Sequence, residues 1–405
     1  MWLGAWLIAA PPTFGFKGIF AWNDVLSGLL LILFGFFSLP RKNIWAPWAS
    51  CMMGVWLQFA PLLFWAPTAA IYLNDTLIGV FAIVFSLLVP DVPGRLPDSG
   101  HSIPPGWSYN PSAWPQRFPI IILGTIAWFI SRYLGAFQLG YIDAVWDPFF
   151  GTGALHVITS KISKDFPVSD AGLGAISYTL DVLLAAQGSE QRWRATPWMV
   201  LLFGVVVVPG SLISILLIIL QPIAVGFWCG PCLFIALCML AMVVFAVDEV
   251  VASIQFLRLK KERGKSVWKV FWKGDECREA IQDLRSPPLD GSKLELLKSM
   301  RWGATLPWNL ALSALLGASL MMAPWVFHLT GLTADIDHAV GALLVVVSII
   351  SMAEVIRSWR YLNVFLGAII VFSYFWPGST PYHLLVGALL IGLSLRAGII
   401  KEVSS

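Results

Sequence analysis

Two cysteines three positions apart lie in the string Trp228-Cys229-Gly230-Pro231-Cys232, and no charged residue occurs from Pro222 to Val247. A CxxC pair can open and close a disulfide, with the thiolate as its reactive form. About 20 apolar residues suffice to cross a bilayer as a helix. Leu233 through Val247 is apolar on every face. The pair therefore reads as dithiol chemistry at a membrane surface, within reach of a lipid-soluble electron carrier. A helix N-terminus favours a thiolate through its dipole and its free N–H groups. Pro231 suits a first turn, which needs no donor there. No Lys or Arg lies within ten residues of the pair, so the helix end has to supply most of the activation.

The other cysteines, Cys51, Cys238 and Cys277, form no second pair. Five cysteines make no disulfide scaffold, and free cysteine is usually a small buried residue. Cys238, six residues past Cys232, faces away from it on a helix. A lone CxxC is half a zinc site and has no matching Cys or His pair, so no metal is expected. There is no P-loop, no Gly-rich dinucleotide fingerprint and no HExxH. Nucleic-acid binding is not expected either, because membrane orientation accounts for the basic loops.

The chain of 405 residues is 58% hydrophobic and 12% charged, about half the charge of a globular protein. It reads as an all-α polytopic membrane protein in the lipid bilayer. Apolar runs bounded by charge, Pro or Gly predict about eleven transmembrane helices, at 24–39, 46–65, 71–90, 119–137, 170–186, 197–220, 222–247, 304–326, 338–356, 361–376 and 383–400. Residues 91–118, rich in Pro, Gly and Ser, read as a linker. Residues 258–302 form a basic loop, in which Val267–Lys273 has the aromatic and lysine mixture of an interfacial segment. No basic stretch or small-residue cleavage site marks a signal peptide at Met1. Met1–Ala10 is half a span long, which suggests an interfacial stub or a start further upstream.

Alternating the loops places nearly all of the 26 Lys and Arg on one side, as the positive-inside rule asks. The exceptions are Lys17, Arg132, Lys161 and Lys164. Outer turns near Pro67, Gly331 and Gly378 carry no cation. This puts Cys229 and Cys232 near the extracytoplasmic face of a plasma (inner) membrane, with a bacterial source expected.

A pattern repeats on both sides of the middle. Gly4-x-x-Leu7-x-x-Ala10-Pro11 recurs as Gly54-x-x-Leu57-x-x-Ala60-Pro61 and as Gly317-x-x-Leu320-x-x-Ala323-Pro324. Asn23-Asp24-x-Leu26-x-Gly28 recurs as Asn74-Asp75-x-Leu77-x-Gly79, and Asp337–Gly341 and His383–Gly387 keep its spacing. Each unit reads as a helix, an Ala-Pro turn and a returning helix. The aspartates are expected as N-caps of the returning helices, with ion ligation as the functional alternative. These units, covering 1–90 and 303–400, resemble the SPW repeat family of bacterial membrane proteins through Ala323-Pro324-Trp325 and Ala60-Pro61. The resemblance implies membrane-embedded structural or partner-binding hairpins.

Residues 119–257 read as a four-helix unit that resembles the catalytic domain of the vitamin K epoxide reductase family. The likeness rests on the CxxC opening the fourth helix, on Val157-Ile158-Thr159-Ser160, on Phe166-Pro167-Val168-Ser169, and on Gly172-Leu173-Gly174 with Tyr178. It implies electron transfer between protein thiols and a quinone, ubiquinone or menaquinone, bound among the helices. By that analogy Cys232 faces the quinone and Cys229 exchanges with an extracytoplasmic thioredoxin-like protein. Ser160 would donate to a quinone oxygen, or merely cap a local turn. Trp228 would pack on the ring, or sit as an interfacial aromatic. The family's two loop cysteines fall at Ala154 and about Trp146, so no internal thiol relay is available. A non-catalytic scaffold and a quinone-independent thiol transporter are the alternatives. Among the other polar residues, an Arg132–Asp181 pair is expected inside the membrane. His156 is a candidate proton carrier. Asp248 and Glu249 are expected at the inner interface, too far from Cys232 to tune it.

Overall fold

The computed structural model describes residues 1–40, 43–88, 102–377 and 379–402. Arg41, Lys42, residues 91–101 of the expected linker and Gly378 lie outside the described residues. The described chain is helical, and eight of its helices are long and apolar enough to cross a membrane. These eight do not reach the expected eleven by length and composition. Trp45–Leu63, Asp170–Ala186 and Pro381–Ser394 occupy the remaining three places as helices that fall short of the same measure.

Four helices form the N-terminal unit: α1 (Trp2–Phe14), α2 (Ile19–Phe37), α3 (Trp45–Leu63) and α4 (Ala69–Ile83). The central unit has α5 (Trp114–Gln138), two short loop helices α6 (Gly153–Ile158) and α7 (Lys161–Lys164), and α8 (Asp170–Ala186). It continues with α9 (Arg192–Ala195), α10 (Pro197–Leu220) and α11 (Gly230–Glu262). Short α12 (Val267–Lys273) and α13 (Lys293–Ser299) follow. The C-terminal unit comprises α14 (Trp308–Val326), α15 (Leu332–Ile350), α16 (Leu362–Ser373) and α17 (Pro381–Ser394).

The hairpins close on glycine. A methyl group on Gly54 would sit 2.7 Å from the Gly79 carbonyl oxygen, and one on Gly317 would sit 2.8 Å from that of Gly341. Gly4 meets Gly28 and Gly367 meets Gly387 in the same way. Lipid supplies no hydrophobic drive between helices, so close backbone approach at small residues carries the packing. The repeated Leu7, Leu57 and Leu320 are each fully buried beside these contacts, and Ile370 fills that place in the fourth hairpin.

The repeated aspartates are not N-caps, contrary to expectation. The returning helices start earlier, at Gly18, Thr68, Gly331 and Thr380, which leaves Asp24, Asp75, Asp337 and His383 inside them and fully buried. There they tie hairpin to hairpin. Asn23 donates to Asp75 at 3.3 Å, Trp56 to Asn23 at 2.9 Å, and Trp6 to Asn74 at 2.9 Å. In the C-terminal unit His383 Nε2 meets Asp337 at 3.0 Å.

The end of the bundle away from the CxxC gathers the charge. Glu249 takes Arg192 and Ser112, and Asp248 accepts from the Tyr109 hydroxyl at 2.5 Å. Residues 102–113 pack at this end, because Ile103, Trp107 and Tyr109 join a buried cluster with Trp193 and Phe256. Arg285 pairs with Glu402 at 2.5 Å and holds that carboxyl below its ordinary range. On α12, Trp268 and Trp272 are exposed while Val270 is buried, as an interfacial helix requires.

The expected Arg132–Asp181 pair is not formed. Arg132 donates to Thr76 at 3.1 Å and stacks its guanidinium over the Tyr72 ring. Asp181 is fully buried, and neither of its carboxylate oxygens has a hydrogen-bond partner. The aromatic face of Tyr72, a strong cation site, takes the guanidinium instead.

Candidate functional site

α10 runs into one wider, π-helical turn, Gln221–Val225, where Pro222 cannot donate its share of the helical bonds. The chain then reverses at Gly226, whose φ of 76° favours glycine. Cys229 is the N-cap of α11, and the two cysteines are bridged. The Cys229 sulfur accepts from the Cys232 backbone N–H at 3.2 Å, the contact a helix N-terminus offers an electron-rich atom.

Two side chains that the sequence did not single out hold this turn. Gln221 accepts from the Cys229 N–H at 3.0 Å. Asp147, in the loop between α5 and α8, accepts from the Gly230 N–H at 2.9 Å. The same carboxylate accepts from the N–H groups of Phe149 and Phe150, both at 3.0 Å. A methyl on Gly230 would fall 2.5 Å from Asp147 Oδ1, so glycine is required for this approach. Gly153 packs as tightly against the Trp228 carbonyl. The loop thereby seals Cys229, which is 0% exposed. Of the two positions at which the family's loop cysteines would fall, Ala154 is buried and Trp146 is 72% exposed.

Cys232 borders a cavity of about 130 Å³, walled by α5, α6, α7, α8, α10, the π-helical turn and α11. An apolar cavity of roughly 150 Å³ accepts a benzene ring, so the space is of the order of a single ring. Its polar lining includes Ser131, Ser160, Tyr178 and Gln221. Ser160 also caps α7, accepting from the Ser163 N–H at 3.3 Å, which leaves its own proton free to donate. Trp228 is not in this wall. It turns toward the C-terminal unit, edge-on to His338 with ring centroids 5.7 Å apart. His156 is exposed and stacks on Phe227 at 4.0 Å. Cys51, Cys238 and Cys277 are free and buried, and burial pushes the Cys277 thiol up from its ordinary range. Among the described residues no group of three or more His, Cys, Asp or Glu side chains gathers to hold a metal.

Residues 118–247 match the model of the Vitamin K epoxide reductase family, and residues 1–89 match that of the SPW repeat domain. The second match does not extend to residues 303–400, where the hairpin geometry alone carries the likeness. No curated protein and no solved structure matches the chain. The first of these family matches lies in the middle of the chain and supports, at the family level, an oxidoreductase reading of that segment.

Proposed function

We propose that residues 119–257 form a membrane thiol–quinone oxidoreductase that uses Cys229 and Cys232. The observation that carries this reading is the placement of Cys232 in the wall of a ring-sized cavity while Cys229 lies outside it. The residues fit the group, since a mostly apolar lining from α5, α8, α10 and α11 includes the hydroxyl and amide groups of Ser131, Ser160, Tyr178 and Gln221, while the one carboxyl group, that of Asp170, is taken up by Gln138 and the Ala171 N–H. A quinone, ubiquinone or menaquinone, bound there takes up two electrons and two protons and leaves as the hydroquinone. On the protein side, two thiols lose those electrons and protons as the Cys229–Cys232 bond forms. A dithiol of a thioredoxin-like partner reopens the bond, and its own two sulfurs become bridged. Ser160 orients the ring by donating to a quinone oxygen. Asp147 and Gln221 hold the turn so that the helix end faces the sulfurs.

The distribution of Lys and Arg supports an inner-membrane topology with the CxxC on the extracytoplasmic side. The sealed Cys229 and the absence of thiols at 146 and 154 favour a second reading, a scaffold that keeps the fold without turnover. One experiment separates the two. In lipid nanodiscs with a chemical dithiol as reductant, the wild type is expected to reduce quinone and Cys232→Ala to lose this activity. Equal rates for the two proteins overturn the oxidoreductase reading.

A further inference from the structure

A second cavity, of about 280 Å³, lies on the other side of the CxxC helix. Its walls come from α10 and α11 on one face and from α14 and α15 on the other. Every lining side chain is apolar, the indole N–H of Trp228 excepted. Ala318, Met321 and Met322 of α14, with Ala342, Val345 and Val346 of α15, complete it. These six residues lie outside the segment matched to the redox family. Ile218 and Ala236 border this groove and the ring-sized cavity alike. The two spaces therefore share a wall between α10 and α11, where Ala236 contributes only a methyl group.

We propose that this groove seats the isoprenoid tail of the quinone whose ring lies beside Cys232. The inference rests on the proposed oxidoreductase reading and extends it by giving the C-terminal hairpins a part in the site. A lipid-borne quinone carries its ring at the end of a long apolar chain. A ring at Cys232 has to send that chain out of the bundle, and beyond the thin wall at Ala236 lies a surface with no polar lining group but one indole. Met321 and Met322 are unbranched and adapt to an irregular chain. Each CH2 buried contributes about 0.8 kcal/mol, roughly fourfold in affinity, so even a partly seated prenyl unit affects binding strongly.

The test is photo-cross-linking in nanodiscs with a prenyl quinone that carries a diazirine on its tail, read by peptide mapping. Label is expected in 318–322 and 342–346, and an excess of unlabelled long-tail quinone is expected to suppress it. In parallel, KM is measured for quinones with no, one and two prenyl units. The wild type is expected to favour the two-prenyl quinone over the tailless one by at least about tenfold. Ala342→Phe and Ala318→Phe fill the groove, and each is expected to collapse that preference. Using both variants covers the case in which one does not fold.

Turnover with an unchanged tail preference in the variants, or label unaffected by competitor, overturns the tail seat and leaves the ring site standing. Equal labelling by a diazirine phospholipid, undiminished by quinone, assigns the groove to bilayer acyl chains and also overturns it. If the wild type reduces no quinone while its disulfide opens and closes normally, the oxidoreductase reading fails and this inference fails with it.

Discussion

At the scale of single residues, the site depends as much on Asp147 and Gln221 as on the sulfurs. Asp147 is 83 positions from Gly230, so no local spacing ties it to the CxxC. Its only mark in the sequence is a carboxylate directly before Pro148 in an aromatic stretch. Hydrogen bonds to charged groups contribute about 1.5–3 kcal/mol each. Asp147→Ala breaks three of them and loosens the seal over Cys229. Alkylation of the reduced protein is expected to speed up by at least about tenfold, and an unchanged rate would show that the loop opens without breaking this contact. Asp181 presents the opposite case. A buried polar group with no partner costs about 1–3 kcal/mol, so Asp181→Leu is expected to raise the thermal midpoint in detergent. A stabilised variant that turns over normally assigns Asp181 no part in the chemistry, whereas a stabilised but inactive one makes it a working acid.

The hairpin is the element that the sequence announces most clearly, because packing without a hydrophobic drive leaves small residues few alternatives. Gly4, Gly54 and Gly317 could be found from spacing alone, as could Gly28, Gly79, Gly341 and Gly387. Gly367 could not, since its helix lacks the Ala-Pro turn and has Ile370 in the Leu place. The aspartates were misplaced for a related reason. Apolar residues ahead of Asp24, Ile19 to Trp22, extend the helix toward Gly18, and a sequence pattern does not reveal how far a turn unwinds. The Arg132 partners were likewise out of reach, because Thr76 and the Tyr72 ring come from another unit. Gly341→Ala puts a methyl 2.7 Å from the Gly317 carbonyl. Overpacking of this kind costs about 1–3 kcal/mol, so the thermal midpoint is expected to fall. Gly392→Ala, with open space around it, is the control and is expected to be neutral or slightly stabilising. Equal effects at both positions would remove the close glycine contact as the basis of the hairpins.

For the whole molecule, the two ends of the bundle differ in charge, and in the proposed topology that difference decides which compartment the dithiol meets. α11 has 33 residues, about 50 Å at 1.5 Å per residue, so it outreaches a hydrocarbon core of about 30 Å. Its surplus length carries Asp248, Glu249 and the cations that follow into the charged end, while its first turn stays at the opposite end with the CxxC. The buried Arg192–Glu249 contact and the packing of 102–113 anchor that charged end. The proposed topology, which follows the positive-inside rule, has the charged end in the cytosol. An exposed cysteine at each end tests this in cells. Thr152→Cys, in the loop that covers Cys229, is expected to react with a membrane-impermeant maleimide added to spheroplasts. Lys269→Cys, on α12, is expected to react only after the membrane is opened. The reverse pattern would put the dithiol in a reducing cytosol, where it would face a different set of thiol partners and the proposed exchange with an extracytoplasmic thioredoxin-like protein could not occur.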